Sequence, residues 1–376
     1  MKEHALIGLG LMSGSSLDGL DLAICRFDLT SDGDSNVQLK QWKFLNTKDI
    51  SFTPEWRKKI SQPFPMNALE YHQLHFEFGH YLGKAIKTFI IEAGVKVDFV
   101  ASHGHTLYHD PSNHFSLQIG DGASISAITG LPVIADFRNG DMALGGQGAP
   151  LAPLADQYLL PVHDFYLNIG GIANITYLNN DNRIAFDVCP ANQLLNHVAN
   201  QLGLAYDDKG GLARSGSLNT ELLAAFNDNA YYKESPPKSL DNNWILKNVI
   251  PLFKSSKLSK ADQLCTAVHF ISKEIANNIK LLSAVKSTSL IACGGGAKND
   301  FLMERLKIET EAMGIDVNIN NASEELIDFK EAALIALMGA FRLLGEKNIY
   351  KSVTGASIDN CGGAIYDSHA KLKSYG

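Results

Sequence analysis

Two apolar runs, Leu6 to Leu11 and Leu20 to Phe27, flank a stretch rich in glycine and serine, a pattern that predicts two short strands joined by a tight loop. A long helix is expected over Ala68 to Ala93, with buried strands at Val97 to Ala101 and Val133 to Ala135. The layout of strand, glycine turn and strand returns at Phe165 to Ile169, Gly170-Gly171 and Ile172 to Tyr177, which suggests an internal duplication. Val268, Ile271, Ile275, Ile279 and Leu282 step by three and four and so mark one apolar face of a helix. Ser289 to Cys293 reads as a strand running into Gly294-Gly295-Gly296, with a helix starting near Asn299. Asp328 followed by Glu331 reads as a capping box that opens a helix from Phe329 to Leu344. Helices and strands therefore alternate, which is an α/β pattern.

The length of 376 residues exceeds what one hydrophobic core usually supports, and two domains are expected. No linker rich in proline or serine divides them, so the boundary rests on the elements alone. It is expected within 135 to 145, with an N-terminal lobe over 1–138 and a C-terminal lobe over 139–364, and a helix at 365–376 packing back on the first lobe. The net charge of −7 and the lack of a basic stripe argue against a nucleic-acid partner. Five scattered cysteines without a Cys-x-x-Cys pair fit reduced thiols. There is no signal-peptide core and no apolar stretch long enough to span a bilayer, and the expected location is the cytoplasm, without a membrane partner. Nothing in the residues decides between a monomer and a homodimer.

Three glycine-rich turns each follow a predicted buried strand: Gly14-Ser15-Ser16-Leu17-Asp18-Gly19, Gly170-Gly171 and Gly294-Gly295-Gly296. Glycine lets backbone N–H groups face an anion without an intervening Cβ. Ser15 and Ser16 add hydroxyl donors, and Asp18 and Asp21 are hard oxygen ligands suited to Mg²⁺, directly or through water. Taken singly, each loop reads as an ordinary turn; three together in the order hairpin, hairpin, strand-to-helix point to a nucleotide. None matches a P-loop or a dinucleotide fingerprint, and Gly8 and Gly10 lie inside a strand.

The stretch Met12-Ser13-Gly14-Ser15-Ser16-Leu17-Asp18-Gly19-Leu20-Asp21 resembles the first phosphate loop of the anhydro-N-acetylmuramic acid kinases, usually M-S-G-T-S-L-D-G-x-D. Further blocks follow in the family's order: Ser102 to Thr106, Leu117 to Asp121, the long block from Ala135 through Leu151, Asn168 to Asn174, Cys293 to Asn299 and Val353 to Ser357. The resemblance implies a two-lobed actin-like ATPase fold, ribonuclease H-like, with an active-site cleft between the lobes. It also implies ATP and Mg²⁺ as cofactors, an amino sugar as the second small molecule, and peptidoglycan recycling as the setting. In this family water opens the 1,6-anhydro ring while O6 takes the γ-phosphoryl group. The family's D-T-G-P-G-N reads Asp187-Val188-Cys189-Pro190-Ala191-Asn192 here, and the Gln of S-H-G-Q-T is His105. Both segments lie near the sugar in the family, so two other readings stay open: a kinase of another amino sugar, and a binding regulator that has lost turnover.

By the same resemblance Asp187 is the expected base, because a water nucleophile needs a carboxylate to take its proton. The residue closes a strand over Arg183 to Phe186, and Pro190 is expected to begin a helix. The competing reading is a helix-capping or turn aspartate. The first loop, Gly14 through Asp21 including Leu17, Gly19 and Leu20, together with Gly170 and Gly171, is expected to hold the phosphates. Gly294, Gly295, Gly296 and Asn299 are expected beside the adenosine, and Asp18 at Mg²⁺ through water. His103, Arg138, Gln147, Asn192 and Glu331 are expected on the sugar side. Arg138 suits the lactyl carboxylate because a planar guanidinium pairs with one, although a structural ion pair would use it as well. Glu331 serves either the sugar or the capping box. His103, His105 and His109 with Asp110 would also suit zinc, but the resemblance makes His103 to Thr106 a substrate loop.

Overall fold

Period-two burial organises the first strands of the structure, a computed structural model that describes residues 2–14, 17–32, 37–61, 66–179, 182–236, 238–240, 242–255, 257–283 and 286–369. The strands are β1 (Lys2–Met12), β2 (Gly19–Ser31), β3 (Val37–Ser51), β4 (Phe99–Ser102), β5 (His105–Asp110), β6 (Phe115–Ile119) and β7 (Val133–Ala135). They continue with β8 (Phe165–Ile169), β9 (Ile172–Asn179), β10 (Asn182–Pro190), β11 (Ser287–Cys293), β12 (Asp316–Asn321) and β13 (Ala364–Tyr366). Leu9, Leu11, Leu20, Leu22 and Ile24 point to one face of the sheet, where Phe78, Leu82 and Ile86 of the helix Ala68–Ala93 cover them. Leu6, Ala23, Cys25 and Phe27 point to the other, beneath Ala332 to Phe341 of the helix Glu324–Leu343. A sheet buried on both faces reads as continuous apolar sequence, as Leu22 to Cys25 does. Gly10 is a packing device: a methyl there would overlap the Ala332 carbonyl, so the helix lies directly on the strand.

The chain falls into two compact units, residues 1–160 with 328–376, and residues 161–327. The sheet of the first runs β13-β7-β4-β1-β2-β3, and that of the second β10-β9-β8-β11-β12. In the first, β1, β2 and β3 form an antiparallel meander, and β4 and β7 run parallel to β1. In the second, β8, β9 and β10 form the meander, and β11 and β12 run parallel to β8. Numbered within each unit, both orders are 3-2-1-4-5, the ribonuclease H-like arrangement; β13 is an antiparallel addition at the edge of the first. The β1–β2 loop and the β8–β9 turn at Gly170-Gly171 thus occupy the same topological place.

Several expectations are corrected. A single cut at 138 is replaced by junctions after 160 and 327, because Phe137 and Leu154 to Leu159 pack in the first unit's core and the late helix and β13 return to its sheet. The expected helix 365–376 is strand β13 at Ala364–Tyr366, drawn in by the free edge of β7; residues 370–376 lie outside those described. The late helix starts at Glu324 rather than Phe329: Ser323 Oγ accepts from Leu326 N–H at 3.2 Å, and Glu324 and Glu325 supply the acidic first turn. Asp328 and Glu331 are therefore interior to the helix and form no capping box. Pro190 ends β10, and the next helix is Asn192–Asn200. The fifteen-residue β3 was not legible, because two register shifts against β2 break its alternation.

Candidate active site

The first glycine loop leaves β1 at Met12 and re-enters the sheet at Gly19. Ser15 and Ser16 at its tip lie outside the described residues. Ser13 is buried and its hydroxyl meets His105 Nδ1 at 3.1 Å, tying the loop base to β5. Leu17 has φ 61°, a left-handed conformation that a branched side chain rarely takes. Asp18 is exposed, with its carbonyl fixed by Phe52 N–H at 3.0 Å. Leu20 is fully buried in the core, so only its backbone is left for a ligand.

Asp21 sits in β2 directly opposite Asp49 of β3, a like-charge pair that sheets normally avoid. Its pKa is pushed up to about 6, by burial first and then by Asp49, Glu331, Asp328 and Asp18. This is a carboxylate field that a cation would relieve. Among the described residues no three acidic or imidazole groups converge tightly enough to cage an ion. The donor set therefore fits Mg²⁺ held mainly by water and phosphate oxygens, with Asp18 and Asp21 as outer carboxylates.

Still in the first unit, Arg138 is half-buried and forms no ion pair among the described residues. Its Nε and Nη2 lie 3.1 and 2.9 Å from His103 Nε2, and its Nη1 donates to Gly148 O at 2.5 Å. His103 Nδ1–H donates to Gly104 O at 3.1 Å, so Nε2 is the bare acceptor. Burial, then the Arg138 charge, depresses the His103 pKa to about 3, and the ring is neutral. Glu331, exposed on the late helix, is felt by both Arg138 and Asp21. Gln147 is exposed at the side chain and anchored by its N–H to Thr354 O at 2.8 Å. Fully buried Asp141 organises this loop, accepting from Gly148 N–H at 2.8 Å, Thr354 Oγ1 at 2.7 Å and Asn360 Nδ2 at 2.9 Å. Sequence reasoning passed over Asp141, although it falls inside the matched stretch from Ala135 to Leu151. His109 meets Ser116 Oγ at 3.0 Å, so the three loop histidines have separate partners.

In the second unit the carbonyls of Gly170 and Gly171 accept from Ala191, Asn192 and Gln193 N–H. The N–H groups of Gly170 and Gly171 donate no hydrogen bond among the described residues, which leaves them for an anion. Asn192 adds a bond from Nδ2 to Ile169 O at 3.2 Å. Gly294 has φ 80°, and a side chain there would press on Asn168 and Ile169. Gly295 faces open space, with Asn192 Nδ2 the nearest atom at 3.6 Å from a built Cβ. It lines a cavity of about 330 Å³ with Asn192, Asn196, Tyr206, Lys209 and Asn299, large enough for a nucleoside. Asn299, buried in the cavity wall, is itself an N-cap, with Oδ1 accepting from Leu302 N–H at 3.0 Å. A second hollow of about 560 Å³ opens beside Gly170, Gly171, Gln193 and His197.

Asp187 lies in β10, the edge strand of its sheet, where the register shifts between Asp187 and Cys189. It caps no helix. Oδ2 accepts from Leu240 N–H at 2.9 Å. Burial raises its pKa and the Leu240 bond opposes the rise, which makes it a stronger proton acceptor than an exposed aspartate.

Two sheets of one strand order, each with a glycine turn between its first two strands, place the chain among the α/β proteins of actin-like ATPase type. Its particular family is settled by comparison. The chain belongs to the anhydro-N-acetylmuramic acid kinase family, whose profile matches residues 6–368. It is 34% identical over 381 aligned positions to an anhydro-N-acetylmuramic acid kinase of Coxiella burnetii, covering 95% of this chain and 96% of that protein. Relatives of the same name from Sulfurimonas denitrificans and Pasteurella multocida are each 33% identical, covering 96% and 97% of this chain and 99% and 98% of theirs. Among solved structures, the chain is similar to component A of the Acidaminococcus fermentans (R)-2-hydroxyglutaryl-CoA dehydratase, with TM-score 0.43, 14% identity, and 91% of this chain and 100% of that one covered. No helix among the described residues is long and apolar enough to cross a membrane.

Proposed function

We propose that the protein is a cytoplasmic kinase that adds water across the 1,6-anhydro bond of anhydro-N-acetylmuramic acid and transfers the γ-phosphoryl group of ATP to O6. The products are N-acetylmuramic acid 6-phosphate and ADP, and the setting is peptidoglycan recycling. Asp187 takes a proton from the water that attacks C1, the C1–O6 bond breaks, and O6 attacks the γ-phosphorus. Arg138 binds the lactyl carboxylate, with His103, Gln147, Asn192 and Glu331 around the sugar. The β1–β2 loop and Gly170-Gly171 hold phosphates through backbone N–H groups, and the adenosine lies in the cavity beside Gly295. Asp18 and Asp21 would hold Mg²⁺ through water, and the ion would supply neutralising charge to the phosphates.

Arg138 carries this reading. A half-buried guanidinium with no carboxylate within ion-pair distance among the described residues, with Glu331 acting on it only at longer range and a neutral imidazole steadying it, is placed to receive an anion. The alternative of a plain structural ion pair lacks support in these bonds. The test is ADP release across a panel of amino sugars, with ¹⁸O-water incorporation followed at C1. Release with the anhydro sugar and label at C1 is the expected result. Release only with another sugar indicates a different kinase, and release with none indicates a binding protein.

A further inference from the structure

Three polar groups of Asp187 are taken by one segment of the second unit that the sequence reading did not touch. Its N–H donates to Lys238 O at 3.2 Å, its carbonyl accepts from the Tyr231 hydroxyl at 2.6 Å, and Oδ2 accepts from Leu240 N–H at 2.9 Å. An edge strand at a register shift leaves its outward groups unpaired, and here residues 231 and 238–240 pair them. The segment is itself anchored. Lys238 Nζ donates to Tyr231 O at 3.1 Å and lies 4.7 Å from the Tyr231 ring centroid and 5.9 Å from that of Phe186. The Tyr231 ring is buried, 5.4 Å from that of Trp244.

We propose that this segment is a positioning strap for Asp187, with Tyr231 its pin and the Leu240 N–H its aiming donor, so that Oδ1 is the oxygen presented to water. The inference rests on the reading of Asp187 as the base. Asp187 takes no other side-chain partner among the described residues, so the strap alone decides where the carboxylate points. The charged and titratable groups around this patch are Tyr231, Tyr232, Glu234 and Lys238 on the strap, Cys189 on β10, and Glu274 on the helix Lys260–Leu282 packed against β10. None of these donates to the carboxylate, which leaves Leu240 as the one group that favours its charged form by hydrogen bonding.

The test uses the full-length protein with ATP, Mg²⁺ and the anhydro sugar, and reads kcat and KM from acid to alkaline pH. Leu240→Pro deletes the aiming donor, so the carboxylate holds its proton more tightly. The acid limb of kcat should move to higher pH and kcat fall about 10- to 100-fold, with KM for ATP unchanged. Tyr231→Phe keeps the ring beneath Lys238 and loses only the pin; kcat should fall about 10-fold with the same sense of shift. A merely structural role would lower stability without moving the acid limb. Should Leu240→Pro fail to fold, Tyr231→Phe decides by itself. If Asp187→Asn abolishes turnover while the strap variants keep the wild-type rate and acid limb, the strap is overturned and the base stands. If Asp187→Asn keeps more than about a tenth of the wild-type rate, the base reading fails and the strap with it.

Discussion

Asp187 and Arg138 do opposite electrostatic work, and substitutions separate them. Asp187→Asn preserves shape and can still accept from Leu240, so the fold and KM for ATP should survive. Turnover should drop by at least the upper end of the 10²- to 10⁴-fold range typical of a general base, because phosphoryl transfer is coupled to ring opening. A stopped assay on purified protein checks this, and Glu331 is the next carboxylate to examine should activity persist. Arg138→Lys keeps the charge but loses the planar fork and its paired bonds to His103. KM for the sugar should rise by about 10- to 100-fold with KM for ATP unchanged, corresponding to one charge-assisted pair of about 1.5 to 3 kcal/mol. Equal KM values for the sugar would remove Arg138 from the carboxylate site.

The turn after β11 does two jobs at adjacent positions. Gly294 is fixed by its left-handed φ, whereas Gly295 has room for a side chain that would enter the 330 Å³ cavity. Gly295→Val should therefore raise KM for ATP by about 10-fold or more, the order expected from a lost or obstructed nucleoside contact, with the ligand-free melting temperature nearly unchanged. Calorimetric titration of a non-hydrolysable ATP analogue, beside a thermal melt, measures both. Wild-type affinity in the variant would move the nucleoside elsewhere, the 560 Å³ hollow beside Gly170 being the next place to look. Elements of this kind were read well wherever the periodicity was strong: the helix Ala68–Ala93 and the strand Val133–Ala135 fall where the spacing put them. The start of the late helix was misread because Asp328 and Glu331 imitate a capping box in sequence, while Ser323 supplies the real cap one turn earlier.

At the scale of the whole molecule the carboxylate field around Asp21 links stability to pH. Its folded pKa of about 6 lies above the ordinary value of 3.8, so the folded state holds this proton more tightly than the unfolded one. Below the ordinary value there is no penalty; as pH rises through that interval the folded state loses stability, and above it the loss is constant. Asp21→Asn should thus raise the melting temperature at neutral pH without Mg²⁺ by a few degrees. That corresponds to about 1 to 2 kcal/mol once solvent screening of this partly exposed group is allowed for. Mg²⁺-ATP should then stabilise the wild type more than the variant. A lower melting point for Asp21→Asn at neutral pH would mean that its charge is already compensated.

The sequence by itself determined the α/β class, the family, and the place of each glycine turn, because apolar periodicity and short motifs are local properties of the chain. The echo between the two hairpins was visible there as well, but its meaning as one strand order used twice needed the pairing of β4 with β1 and of β11 with β8. Tertiary structure alone decided that Asp49 faces Asp21, that a neutral His103 steadies Arg138, that Asp141 ties the Gly148 loop to Thr354, and that residues 231 and 238–240 hold Asp187. Each of these joins positions far apart in the chain. A residue's local pattern records what its own strand or helix needs, whereas a hydrogen bond or a charge acts through space on whichever segment the fold brings beside it.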